Sequence, residues 1–185
     1  MNGRSFILVG VLLALGCGTP QRAPDHRVVG IENAPASLDP RTGFDQASSR
    51  VQDLLYDGLF TLDEHLAPAP RLARRWVWET PTRLHVTLQS GVRFHDGRPL
   101  EAADVIHTIR TMQDPALGSP RRSDLEVITA LEAPSALEVV LTLDRPWAPL
   151  LANLNFGIVP MDAGPDFSDH PVGAGPYRLL DLAPG

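Results

Sequence analysis

A single cysteine in 185 residues excludes an intramolecular disulfide, so any fold this chain adopts must be held by an apolar core. Hydrophobic residues make up 43% of the sequence, enough to build one. A chain of this size buries about 70% of its unfolded surface and has little room for two large domains. Acidic residues outnumber basic ones, 22 to 16, and every basic residue is arginine. Such a surface repels phosphate backbones, which excludes nucleic acid as the expected partner. Without lysine there is neither a Schiff-base nucleophile nor a phosphate-loop cation.

The place of that cysteine matters as much as its number. Arg4 precedes an apolar run from Phe6 to Leu15, with Gly16 before Cys17. This is signal-peptide anatomy over 1–16, and the run is too short for a membrane span, which needs roughly 20 residues. Cys17 then stands where a lipoprotein signal peptidase cuts and a lipid is attached, although Ala14 and Leu15 depart from the usual leucine and small residue there. The following GTPQRAPDH is Pro-rich and aperiodic, so 17–27 reads as a lipid-anchored flexible tether. The expected location is the periplasmic or cell-surface side of the cytoplasmic membrane.

Beyond the tether the pattern is mixed α and β. Residues 28–32 read as a strand closed by Asn33, Ala34 and Pro35. Val51, Leu54, Leu55 and Leu59 follow helical spacing over 46–59, with Gly58 as the stop. Leu84, Val86 and Leu88 alternate with polar residues as in a half-buried strand. A second helix is expected from about Glu101 to Met112. After it, alternating runs at 125–131 and 137–143 flank a turn at 133–136, a hairpin signal. A short helix at 148–154 and strands at 156–160 and 176–182 complete the reading.

Five segments, in order, carry a family likeness: SLDP at 37–40, LLYDGLF at 54–60, LAPAPRLARRW at 66–76, GVRFHDGRPLEAADV at 91–105 and GAGPYRL at 173–179. Together they resemble the oligopeptide and dipeptide solute-binding proteins, family 5, of ABC importers. The resemblance implies an α/β fold of the type II periplasmic-binding class, a two-lobed clamp whose first lobe carries an inserted α+β subdomain. By that analogy, 28–45 and 157–185 belong to the main first lobe and 46–156 to the insertion, while the second lobe lies beyond Gly185. The implied partners are a peptide or other small solute, the permease subunits and the membrane through its anchor. No cofactor, metal or catalytic residue is implied. With the second lobe missing, tight ligand capture is not expected, and the apolar faces of 176–182 should be exposed. A stand-alone surface lipoprotein serving as an interaction module is the alternative.

Ligands of open α/β sheets sit at the carboxyl ends of strands. That points to Glu32, Asn33 and Ala34, and to Asn155, Phe156 and Gly157 on the returning segment, as candidate ligand-binding residues. The other chemical-looking motifs read as structure. His95-Asp96-Gly97 is a turn signal, because Gly accepts positive φ and Asp bonds nearby amides. His26, His65, His85, His95, His107 and His170 show no H-x-x-x-H or HExxH spacing. No serine stands in a G-x-S-x-G elbow. The glycines of 173–175 suit close backbone approach, since Pro176 removes a phosphate-binding amide. Trp76 and Trp78 should share a strand face as packing residues, and Glu101 is a weak helix cap.

Overall fold

A computed structural model describes residues 30, 31 and 33–181. The signal segment 1–16, Cys17, the tether 17–27 and most of the predicted strand 28–32, Glu32 included, lie outside the described residues. From Ile31 onward the chain forms one compact unit.

The first helix, α1 (Gln46–Leu55), is started by Asp45, whose carboxylate accepts the Ser48 N–H at 2.9 Å. It stops at Leu55, three residues short of Gly58, because Tyr56 turns extended. Gly58 serves a different purpose. A Cβ there would stand 2.7 Å from the Phe156 carbonyl, so the glycine lets two backbones touch. A small hairpin, β1 (Phe60–Leu62) with β2 (Pro68–Pro70), follows.

Four antiparallel strands make the main sheet: β3 (Ala73–Thr80), β4 (Arg83–Leu88), β5 (Ile128–Ser135) and β6 (Glu138–Leu143), in the order β3-β4-β6-β5. Leu84 faces Leu141 across the ladder and Val86 faces Val139, all wholly buried, which fulfils the predicted alternation. The helix α2 (Ala102–Gln113) lays Val105, Ile109 and Met112 on the same core. Burial of side chains this size contributes about 1.5–3 kcal/mol each. Trp76 packs edge-on against Phe60 at 5.2 Å, while Trp78 stays partly exposed.

Two details of the hairpin differ from expectation. Leu125 closes a short helix, α3 (Arg122–Leu125), and a register shift between Ile128 and Ala130 turns Ile128 inward and leaves Thr129 exposed. A bulge breaks strict alternation in this way. The short helix near 150 is present as α4 (Leu150–Asn153).

The segments 156–160 and 176–181 form no strand and pair in no sheet. Their amides are taken singly by other elements: Ile158 N–H by the Asp57 carbonyl, Val159 N–H by Thr108 Oγ1, Tyr177 N–H by the Leu54 carbonyl. A strand whose donors are already engaged has no ladder to offer. No sheet includes these segments among the described residues, and most of the opening strand 28–32 lies outside them.

Candidate ligand-binding site

The loop before α1 is fixed by a buried ion pair. Arg41 is 2% exposed and grips Asp39 with Nε at 3.0 and 3.1 Å and Nη2 at 2.8 Å, while Nη1 and Nη2 also donate to the Ala163 and Gly164 carbonyls. A planar fork satisfied on both sides makes a rigid corner. The Tyr56 hydroxyl donates to the Leu38 carbonyl at 2.9 Å. Burial, reinforced by the nearby Asp39 charge, pushes that phenol far above its usual range, so it remains a neutral donor.

At the other end of α1 three of the signature segments interlock. His95 sits in the expected turn, with Gly97 at φ +94° and its N–H bonded to the Phe94 carbonyl. Its ring also reaches across the fold. Nδ1 accepts from the Gly173 N–H at 3.3 Å and Nε2 donates to the Gly175 carbonyl at 2.9 Å, which selects the neutral Nε2–H tautomer. Gly175 N–H and Tyr177 N–H then cap the Leu55 and Leu54 carbonyls that α1 leaves unpaired. A Cβ at Gly173 would fall 1.8 Å from the Leu55 oxygen. Only glycine fits, as the spacing of that motif led one to expect.

Between these two anchors the surface of α1 opens into a groove of about 270 Å³, walled by Ser49, Gln52, Asp53 and Tyr56 on one side and by Arg121, Asn155, Phe156 and Gly157 on the other. Here the three predicted residues of the returning segment come together. Asn155 is exposed and its Oδ1 accepts from Arg121 Nη1 at 3.2 Å. Phe156 is buried and presents its ring to the Arg121 guanidinium at 5.9 Å. Gly157 allows contact with Tyr56, whose Cβ a side chain there would meet at 2.4 Å. Asn33 instead lines a separate hollow of about 100 Å³ at the start of α1, and Ala34 is exposed outside both. The two halves of the predicted site do not share one groove among the described residues.

The charges in the groove are Asp53 and Arg121. Neither makes an ion pair among the described residues. Surrounding protein raises the Asp53 carboxyl above its ordinary value against the pull of Arg71 and Arg121, and lowers the Arg121 guanidinium against the pull of Asp124 and Asp53. No motif in the sequence singled out either residue, or Phe44, whose exposed ring lies 5.8 Å from the same guanidinium. Their proximity arises from the fold alone.

Residues 67–185 match the model described as "Bacterial extracellular solute-binding proteins, family 5 Middle". This chain belongs to that family. It is similar to Protein XP55 of Streptomyces lividans, 34% identical over 172 residues, a match covering 88% of this chain and 31% of XP55. Among solved structures it resembles the oligopeptide-binding protein AppA from Bacillus subtilis, in complex with a nonapeptide, with a TM-score of 0.76 and 25% identity over 82% of this chain and 33% of AppA. It also resembles NikZ from Campylobacter jejuni, in complex with Ni(L-His), at a TM-score of 0.74 and 26% identity over 83% of this chain and 32% of NikZ. The chain spans about a third of the length of these relatives. The fold is accordingly that of a type II periplasmic-binding-like family 5 protein in part, corresponding to the N-terminal part of such proteins. The family consists of substrate-binding proteins, not enzymes. Among the described residues no helix is long and apolar enough to cross a membrane.

Proposed function

We propose that this family 5 chain serves solute capture for an ABC importer, taking peptides or related small solutes outside the cell membrane and delivering them to permease subunits. Residues 1–16 act as the signal peptide, Cys17 carries the lipid and 17–27 form the tether. Residues 28–45 and 157–185 contribute to the main first lobe, with 46–156 inserted into it. The groove at Asn155, Phe156 and Gly157 supplies part of the ligand wall, and Glu32, Asn33 and Ala34 contribute from the neighbouring segment. The observation that carries this reading is the backbone likeness to a peptide-bound member over most of the chain. It is supported by a concave surface lined mainly by polar side chains, with Tyr56 and Phe156 beside them.

The test is a calorimetric and thermal-shift screen of the purified chain against dipeptides to nonapeptides and Ni(L-His). Saturable binding that Asn155→Ala weakens supports the reading. A protein with a cooperative melt that takes up none of the panel even at millimolar concentration, or binds equally well without Asn155, refutes it. Labelling with radioactive palmitate that disappears in Cys17→Ala checks the anchor.

A further inference from the structure

The two edges of the main sheet are treated differently. On the β5 side α2 supplies a cover: Gln113 Nε2 donates to the Ile128 carbonyl at 2.8 Å and Arg110 Nη2 reaches the Leu131 carbonyl at 3.5 Å. The β3 side has no such cover, for nothing among the described residues bonds the outer edge of 74–80. Which groups lie open there follows from the ladder. Leu143 N–H bonds the Thr82 carbonyl, so Arg83 and, two residues on, His85 turn their backbone groups toward β3. Val77, opposite His85, turns its own toward β4, and Trp76 and Trp78 are left presenting N–H and C=O outward.

That open edge reads Arg75-Trp76-Val77-Trp78-Glu79, a sequence that complements itself. A second copy running antiparallel about Val77 sets Arg75 opposite Glu79, Trp76 opposite Trp78, and Val77 opposite its own counterpart. The backbone accepts the same register. Trp76 and Trp78 then exchange the ladder hydrogen bonds, and Val77 falls at the non-hydrogen-bonded position where side chains approach most closely. Val77 and Trp78 are 42% and 37% exposed, more apolar surface than a solvated edge needs. Arg75 makes no ion pair among the described residues. Glu79 is fixed on the Val77 face by Arg83 Nε at 2.8 Å and His85 Nδ1 at 3.1 Å, and its half-exposed carboxylate keeps lone pairs for a further donor. Edges that avoid self-pairing carry like charges, whereas opposite charges at equal distances from a centre favour it. Register shifts at Ala73/Arg75 and Trp78/Thr80 confine the pairing to this short stretch, so the association is weak. We propose that β3 is a self-association edge, on which two copies of this chain pair about a two-fold axis and join their four-stranded sheets into one.

The experiment is sedimentation velocity of the full chain from micromolar to millimolar concentration, with hydrogen exchange of the Trp76 and Trp78 amides followed by NMR. A reversible dimer is expected, in which those two amides exchange more slowly as concentration rises. Arg75→Glu alone sets acid against acid at both symmetric positions, and Glu79→Arg alone sets base against base. Each should weaken association about tenfold or more, because the two-fold axis counts every pair twice. An equimolar mixture of the two variants restores opposite charges at both positions and should associate about as well as the parent. Circular dichroism melts check that each variant is folded. If Glu79→Arg melts early because Arg83 has lost its partner, Val77→Lys replaces it; this puts like charges at the axis from an exposed position and should weaken association similarly. A chain that stays monomeric at millimolar concentration overturns the proposal. So does a dimer that Arg75→Glu and Val77→Lys leave unchanged, or a mixture of folded charge variants that associates no better than either alone. Trp76 and Trp78 amides protected equally at every concentration also overturn it, since another part of the same chain then covers the edge.

Discussion

Asp39→Ala should be among the most damaging single changes in this chain. Arg41 lies 2% exposed and receives all its carboxylate contacts from Asp39, three of them between 2.8 and 3.1 Å. Removing Asp39 leaves a buried guanidinium with only the Ala163 and Gly164 carbonyls, both at 3.2 Å. An uncompensated charge of this kind costs about 3–5 kcal/mol, a large part of the roughly 5–15 kcal/mol that holds a domain folded. Arg41→Met leaves Asp39 buried but still accepting the N–H of residue 41, now at 2.9 Å, so its cost should be smaller, about 2–3 kcal/mol. The double variant removes both charges and should be much milder than the sum, giving a coupling of about 2–3 kcal/mol. Urea unfolding followed by circular dichroism measures each corner of the cycle. With a slope of about 2 kcal/mol/M, the Asp39→Ala midpoint should fall by about 2 M. Additive effects, or an Asp39→Ala loss below about 1 kcal/mol, would show that this pair is neither buried nor coupled.

Two more expectations follow from close packing and from titration. Gly173→Ala forces a methyl into the Leu55 carbonyl, and overpacking of this kind costs about 1–3 kcal/mol, so scanning fluorimetry should find the melting point several degrees lower. Gly164→Ala, which meets no atom within 4 Å, should melt close to the parent and serves as control. His107 is held below its ordinary value of 6.5, first by burial and then by the Arg41 charge, against the pull of Asp104 and Asp162; its Nε2 has no partner among the described residues. The folded state thus binds this proton less readily than the unfolded one. Stability from His107 is complete above about pH 6.5 and lost as pH falls toward the lower folded value. Urea midpoints from pH 7.5 to 5 should therefore drop more in the parent than in His107→Gln, and an equal or smaller drop refutes the assignment.

The sheet and α2 were legible because their apolar residues recur at the periods of a strand and a helix, as at Leu84, Val86 and Leu88 or Val105, Ile109 and Met112. The bulge at Ile128 was not, since a shift of one residue leaves composition unchanged. Segments such as 156–160 read as strands because local pattern reports exposure of alternate faces, whereas a ladder also requires free amides. SLDP was legible as a family segment, but nothing local said that Arg41 would bury itself against Asp39 and then bind carbonyls more than 120 residues away. The same holds for the groove. Asn155 could be reached from the fold analogy, yet Asp53 and Arg121 stand 68 positions apart and meet only because α1 packs beside the segment leading into α3.

The residues that make the family recognisable are those that lock three distant segments together. LLYDGLF begins with the helix carbonyls that GAGPYRL caps, and the histidine of FHDG bonds both glycines of that same segment. Each piece fits only if the other two are present: a side chain at Gly173 strikes Leu55, and without His95 the Gly173 amide and Gly175 carbonyl lose their side-chain partner. Such a three-way joint tolerates little change, which is why it can be read from sequence. Arg121 and Asp53 carry no comparable packing demand, for the guanidinium rests on ring faces and the carboxylate on solvent. Substitutions there should leave the joint and its melting point intact, whereas changes at Gly173 or His95 should not.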